Sequence, residues 1–367
     1  MITNHNSFSG DHPEINSSYN TEDYHIVVIG ASAGGFEAIK KIVADLPPDF
    51  RPPVFIVWHT GADVQGVMPG VLNKLNSIHA AHATHNELIK PNRIYIAPPD
   101  HHLLLEDGYI KLTHGPKENY FRPAVDPLFR SAAYSYGTRV IGIVLSGGLD
   151  DGTAGLWRIK NNGGSTIVQD PEDAEARSMP ESALREVEVD YCAPVSEIAG
   201  ILTKIETEGI DINAVIKDKK TELENRSTTG DKQAARKSFE MGELSPFTCP
   251  DCRGVLSKIV EGGISRYRCH TGHAFSADTL LATLSRRVEN DLYTALAGMD
   301  ESIWLLNHMG DHLAEINQTQ EAALYFIKAK ETEGHSDLVR GTIKNYKQLT
   351  NPKVQIEVNN LKNETKY

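Results

Sequence analysis

Four cysteines in 367 residues are too few for a disulfide framework, and three of them fall between 249 and 269. Cysteine usage of this kind suits a reducing cytoplasm. No apolar run approaches the ~20 residues that cross a bilayer, so a membrane-spanning helix is not expected. Basic residues are outnumbered, 37 Lys and Arg against 49 Asp and Glu, for a formal net charge of -12. Without a basic field to neutralise phosphates, nucleic acid is not expected as the main partner. Residues 1–22 lack the apolar core of a secretory signal and read as a disordered polar tail. The rest is globular in composition, with length for two or three domains at ~100–200 residues each.

From 23 to 207, apolar runs rich in Val and Ile alternate with helical patterns. Strands are expected at 25–29, 54–58, 93–97, 140–145, 165–169 and 191–193, and helices at 36–46, 67–75, 125–136, 156–161 and 196–205. Continuous apolar strands separated by helices predict a doubly wound, mostly parallel α/β sheet with both faces covered. The local exception is a hairpin, 102–106 with 109–113, joined by Asp107-Gly108. A charged, weakly apolar stretch at 208–245 reads as a linker. A short Cys/His segment follows at 246–275, then a helical region at 276–350. Its stripe, which includes Leu281, Leu284, Val288, Leu292, Ala295 and Met299, steps by three and four. Such a stripe packs on its own domain or on a second copy. Residues 351–367 form a polar tail.

Functional groups of open α/β sheets gather at the carboxyl ends of the strands. The first strand runs into Gly30-Ala31-Ser32-Ala33-Gly34-Gly35, with Ser32 in G-x-S-x-G spacing between a strand and a helix. A sharp turn there exposes the hydroxyl beside the N–H groups of the helix start. The bland reading is a glycine-rich turn whose serine caps the helix. His59 follows the second strand, and Asp150 and Asp151 follow the strand at 140–145. Nucleophile, base and acid from three strand ends are the set a Ser-His-Asp relay needs. His101 and His102 compete with His59 on position, and either aspartate could instead cap the helix beginning near Gly152. A dinucleotide site, hence an NAD(P)-binding oxidoreductase, is the rival enzyme. It wants an acidic residue at the end of the second strand, where Trp58-His59-Thr60 stands; Glu37 is too early and Asp63 lies beyond.

Several motifs in order resemble the CheB-type protein-glutamate methylesterases of bacterial chemotaxis. They are Ile29 to Gly35, Trp58-His59, Ile94 to His102, Arg122-Pro123-Ala124-Val125-Asp126-Pro127-Leu128-Phe129, and Leu145 to Gly152. The resemblance covers 26 to about 201. It implies hydrolysis of glutamate γ-methyl esters on chemoreceptors with release of methanol, deamidation of certain glutamines, and no catalytic cofactor. It assigns Ser32 as nucleophile, His59 as base and Asp151 as acid, with Ala33, Gly34, Gly148 and Arg122 lining the oxyanion and substrate site. The sequence departs from the family pattern at Ala33, where Thr is frequent, at Gly148, where Met is, and at Phe121, where His is. Well-known members carry an N-terminal phosphorylation receiver, whereas a short polar stretch precedes the first strand here. A receiver-less organisation is therefore expected.

Cys249-Pro250-Asp251-Cys252 and Cys269-His270-Thr271-Gly272-His273 have the spacing of a Cys3His zinc site. His273 is the better fourth ligand, because adjacent Cys269 and His270 cannot easily share one ion. With four protein ligands the metal is structural. A redox C-x-x-C or free thiols is the alternative. The segment and the helix behind it also resemble a tail of some receiver-less CheB-like proteins. The sequence thus predicts a cytoplasmic serine carboxylester hydrolase acting on a methylated chemoreceptor-like protein. Self-association would run through the C-terminal helix. The non-enzymatic alternative is a regulatory or scaffold module of a chemosensory system.

Overall fold

A computed structural model describes residues 24–59, 66–209 and 217–349. The expected tails at 1–22 and 351–367 lie outside them. The chain opens with β1 (Ile26–Ala31), α1 (Gly35–Asp45), β2 (Val54–Trp58), α2 (Met68–Leu75), β3 (His79–His82) and β4 (Arg93–Ile96). The hairpin β5 (His102–Glu106) and β6 (Tyr109–Thr113) follows, then α3 (Val125–Tyr136), β7 (Val140–Val144) and α4 (Thr153–Asn161). β8 (Ser165–Gln169), α5 (Ser178–Glu186), β9 (Tyr191–Ala193) and α6 (Val195–Glu208) complete this part.

Seven strands form one sheet in the order β3-β4-β2-β1-β7-β8-β9, and every neighbouring pair is parallel. Alternation along β1 sends Ile26 and Val28 into one core with α3, α4 and α5. Val27, Ile29 and Ala31 enter the other, with α1, α2 and α6. Because both faces are buried, the strands are continuously apolar. The helices after β1 and β7 lie on opposite faces, so these adjacent strands flank the topological switch point, where open sheets form their crevice.

Two elements of the sheet domain escape apolar periodicity. β3, His-Ala-Ala-His, is a short edge strand paired only with β4. α5 presents small or polar residues beside Met179 and Ala183.

The stretch expected as a linker is structured over much of its length, which corrects that expectation: it holds α7 (Lys219–Thr228) and α8 (Lys232–Glu240). Asp218 caps the first helix by accepting from the Thr221 N–H, and Asp231 caps the second by accepting from the Gln233 and Ala234 N–H groups. The buried face of α7 is largely polar, and that of α8 is small-sided, with Ala234, Ala235 and Ser238. Glu224 is fully buried, 2.7 Å from Arg266 and 3.7 Å from Arg130. Arg130 is paired to Glu118 through two 3.0 Å hydrogen bonds, and Arg268 lies 3.3 Å from Glu118. Burial opposes ionisation of both glutamates, but the surrounding guanidinium groups hold them well below the usual carboxylate range. Removing one member strands buried charge. Glu224→Ala is therefore expected to destabilise the chain by about 3–5 kcal/mol in urea unfolding.

Beyond α8, β10 (Glu243–Thr248), β11 (Val255–Glu261), β12 (Ile264–Cys269) and β13 (Ala274–Ser276) form an antiparallel sheet in sequence order. The helical region is two long helices, α9 (Ala277–Glu315) and α10 (Thr319–Asn345), packed together. No described helix is long and apolar enough to cross a membrane.

Candidate active site

Ser32 leaves the end of β1 with its backbone fixed on both sides. Its N–H donates to the Ser146 carbonyl at 2.9 Å, and its carbonyl accepts from the Gly35 N–H at 3.0 Å and the Trp58 indole N–H at 2.9 Å. Trp58 stacks on Phe36 with ring centroids 5.1 Å apart, which ties this anchor to the first turn of α1. Gly34 sits before that helix at φ 73. A Cβ there would lie 2.5 Å from Glu175 Cβ and 2.8 Å from Ser146 Oγ, so the turn takes glycine on both counts. Among the described residues, the N–H groups of Ala33 and Gly34 donate to no protein acceptor. Unspent N–H groups at a helix start are suited to stabilise an oxyanion. The Ala33 carbonyl is held by the Ser146 hydroxyl at 2.7 Å.

His59 follows β2, and its N–H donates to the Ala31 carbonyl at 3.0 Å. The imidazole is buried, stacked on Phe121 at 3.8 Å between centroids. Nε2 lies 2.8 Å from Asp151 Oδ2, while Nδ1 is buried and has no hydrogen-bond partner among the described residues. A carboxylate accepts only, so Asp151 fixes the proton on Nε2 and leaves the Nδ1 lone pair free.

Asp151 also receives the first N–H groups of α3, Val125 at 2.7 Å and Asp126 at 3.2 Å, and the Asn119 amide at 2.8 Å. α3 has no side-chain cap of its own, and this carboxylate from another segment fills that place. Burial would raise the Asp151 carboxyl, but the bonds from His59, Val125 and Asn119 outweigh it and hold it below the usual range. Asp126 is pushed up instead, by burial and by the charge on Asp151.

The other candidates sit elsewhere. His102 is buried, with Nδ1 accepting from the Ala124 N–H at 3.3 Å and Nε2 on the Pro116 carbonyl at 3.0 Å. Burial lowers its pKa to about 4. His101 bonds the Pro99 carbonyl through Nδ1. The Arg122 side chain is engaged by Asp100, at 2.9 and 2.7 Å, and by the Gly115 carbonyl at 2.7 Å. Gly147 packs against Ser32, and a Cβ on it would stand 2.9 Å from Ser32 Cβ. Gly148 faces open space.

Asp150 turns away from its neighbour. It accepts from the Ser276 hydroxyl at 2.6 Å and the Thr279 hydroxyl at 2.8 Å, at the start of α9. Burial, against those two bonds, raises its pKa to about 7. An acid raised on folding stabilises the native state most when protonated, so its contribution is lost as pH climbs towards 7. Asp150→Asn is expected to raise Tm by roughly 2–4 °C at pH 8, a gain that shrinks on acidification and vanishes near the ordinary carboxylate pKa of about 4. Thermal unfolding at several pH values checks it.

Sequence reasoning had no place for Asn119. Its role arises from contacts, and its signal is conformational: Asn119 and Tyr120 both hold positive φ, at 49 and 72. For non-glycine residues such backbone costs on the order of 1–3 kcal/mol each.

In the C-terminal sheet, the ligand atoms of Cys249, Cys252, Cys269 and His273 all lie within 4.8 Å of one another. Cys252 and Cys269 sulfurs are 3.6 Å apart, and His273 Nδ1 is 3.6 Å and 3.7 Å from the sulfurs of Cys269 and Cys249. Such edges match a tetrahedron of ~2.3 Å Zn–S and ~2.0 Å Zn–N bonds. Three thiols and one imidazole suit that metal chemically. His270 instead meets the Phe239 ring edge-on.

A serine at a strand-to-helix turn, beside a buried imidazole–carboxylate pair at neighbouring strand ends, is the equipment of a hydrolase. The chain belongs to the CheB methylesterase family, whose model matches residues 27–202. A Leptospira interrogans protein with the provisional name protein-glutamate methylesterase/protein-glutamine glutaminase is 40% identical over 190 residues, 52% of this chain and 98% of its own length. Protein-glutamate methylesterase/protein-glutamine glutaminase 2 of Anaeromyxobacter dehalogenans is 37% identical over 49% of this chain and 53% of its own. The crystal structure of the Thermotoga maritima CheB methylesterase catalytic domain aligns with a TM-score of 0.48 and 33% identity, over 50% of this chain and 98% of that one.

Proposed function

We propose that the chain is a protein-glutamate methylesterase that hydrolyses glutamate γ-methyl esters on a chemoreceptor-like protein. Ser32 is the nucleophile, His59 the base and Asp151 the acid. The observation that carries this reading is the His59 ring: one nitrogen held by a buried carboxylate, the other buried without a partner among the described residues. A buried nitrogen left unspent is costly in a purely structural histidine, and a base needs its lone pair free. Ser32 Oγ attacks the ester carbonyl as its proton passes to His59 Nδ1. The oxyanion meets the Ala33 and Gly34 N–H groups, and methanol leaves with the proton. Water then repeats the sequence on the acyl-serine. A glutamine amide passes through the same tetrahedral geometry and yields ammonia, which is the glutaminase reaction. Gly148, open to space, and the Arg122 loop line the approach of the substrate.

The relatives' names support both substrates. The test is mass spectrometry of a methylated chemoreceptor cytoplasmic fragment after incubation with the chain. Methyl esters converted to glutamates support the reading, and esters left intact oppose it. Converted glutamines would report the second activity.

Cys249, Cys252, Cys269 and His273 hold a structural Zn²⁺ in this reading, supported by their tetrahedral edges. Elemental analysis of the purified chain tests it, with about one zinc per chain expected. Trp304, Leu305 and Leu338 remain exposed along the α9–α10 pair, and these apolar side chains support self-association through the helices.

A further inference from the structure

Asn119 uses its whole side chain. Nδ2 donates to Asp126 and to Asp151, each at 2.8 Å, and Oδ1 accepts from the Ser276 N–H at 2.9 Å. Its backbone N–H donates to the Ala274 carbonyl at 2.8 Å, and the Ala274 N–H donates to the Lys117 carbonyl at 3.3 Å. The turn at 117–121 is thus laid along β13, with Glu118 bridged to Ala274. The strained pair Asn119 and Tyr120 lies in this turn, and such backbone persists only where its surroundings over-determine it. Here the surroundings belong to the C-terminal sheet. β13 begins directly after His273, whose carbonyl accepts from the Cys269 N–H at 3.0 Å. A short path runs from the Cys/His cluster through Ala274 and Ser276 to Asn119, and from there to Asp151.

The amide of Asn119 also keeps two buried carboxyls apart. Asp126, raised in pKa, is the neighbouring group ready to carry a proton. Without the amide, a neutral Asp126 becomes a rival donor for Asp151 and draws its carboxylate away from His59.

We propose that the C-terminal Cys/His module is an intramolecular clamp on the triad: β13 fixes the turn at 117–121, and Asn119 is the positioning residue through which an ordered Cys/His centre holds Asp151 in line with His59. The module is then part of the working hydrolase, and loss of its metal disarms a catalytic domain that stays folded. The inference rests on the triad and zinc readings above, so its test includes readouts independent of both.

The full chain is compared with Asn119→Ala, with Ala274→Pro, which removes the N–H that bonds Lys117, and with a sample stripped of metal by a strong chelator. Three quantities are followed: kcat and KM for methanol release, the low-field NMR signal of the His59 Nε2 proton, and hydrogen exchange at Asn119 and along β1 and β7. Asn119→Ala is expected to lower kcat about 10–100-fold, with KM changed less than about threefold, and to shift or broaden the His59 signal. Ala274→Pro and metal removal are expected to expose the Asn119 amide and alter the same signal while β1 and β7 stay protected. The clamp is overturned if Asn119→Ala leaves the His59 signal and kcat unchanged. It is equally overturned if an unprotected Asn119 amide accompanies an unaltered His59 signal. If the parent chain releases no methanol, the esterase reading fails, while the His59 signal and exchange still decide the clamp. If it binds no metal, the zinc reading fails, and the two variants still decide.

Discussion

Asp151→Asn is expected to lower kcat about ten-thousand-fold and to change KM little. The present carboxylate accepts four hydrogen bonds, from His59, Val125, Asp126 and Asn119. An asparagine has one oxygen to accept with. His59 and Val125 meet one carboxylate oxygen, Asp126 and Asn119 the other. An asparagine oxygen that keeps Asp126 and Asn119 turns its NH2 to His59, and the imidazole must turn its lone pair towards it. The proton then sits on Nδ1, where the base is needed. The enzyme would bind substrate and fail to take the serine proton. Initial-rate kinetics separates this outcome from a binding defect, because a defect in binding raises KM instead.

The second large effect is expected from a single methyl group. Gly147→Ala should lower kcat at least ~100-fold, the scale of a 1 Å misplacement of reacting groups. The new Cβ would lie 2.9 Å from Ser32 Cβ and overlap the Met179 sulfur. Ser32 cannot yield without breaking the bonds from its N–H to Ser146 and from Trp58 to its carbonyl. The adjacent Gly148 faces open space, so Gly148→Ala should leave Tm nearly unchanged. The contrast between neighbouring glycines, read by kinetics and thermal unfolding, separates packing against Ser32 from general sensitivity of the turn.

The parallel sheet is legible in the sequence because burial on both faces makes strands such as Val140–Val144 continuously apolar. The same logic hides β3, an edge strand of two histidines and two alanines. It also hides α7, whose buried face carries Thr221, Glu224, Ser227 and Thr228. There the burial of polar groups is offset by ion pairs with residues far along the chain, such as Arg266, and no local pattern records such a partner. The site shows the same division. Ser32 and His59 stand at strand ends that the topology places side by side, and this much follows from element order. Asp150 and Asp151 are indistinguishable by position. The fold turns one towards Ser276 and the other towards His59. Asn119 carries no sequence signal, because its oxygen is used by a residue 157 positions away.

Methanol release from a methylated chemoreceptor cytoplasmic fragment, compared between the parent chain and Ser32→Ala, tests the central claim most directly. Release by the parent chain that falls to background in Ser32→Ala is the predicted result, since loss of a triad nucleophile costs on the order of a millionfold. Equal release by both chains would contradict Ser32 as nucleophile. No release by either, with the fragment still bound, would contradict the esterase and favour a regulatory module built on the same fold.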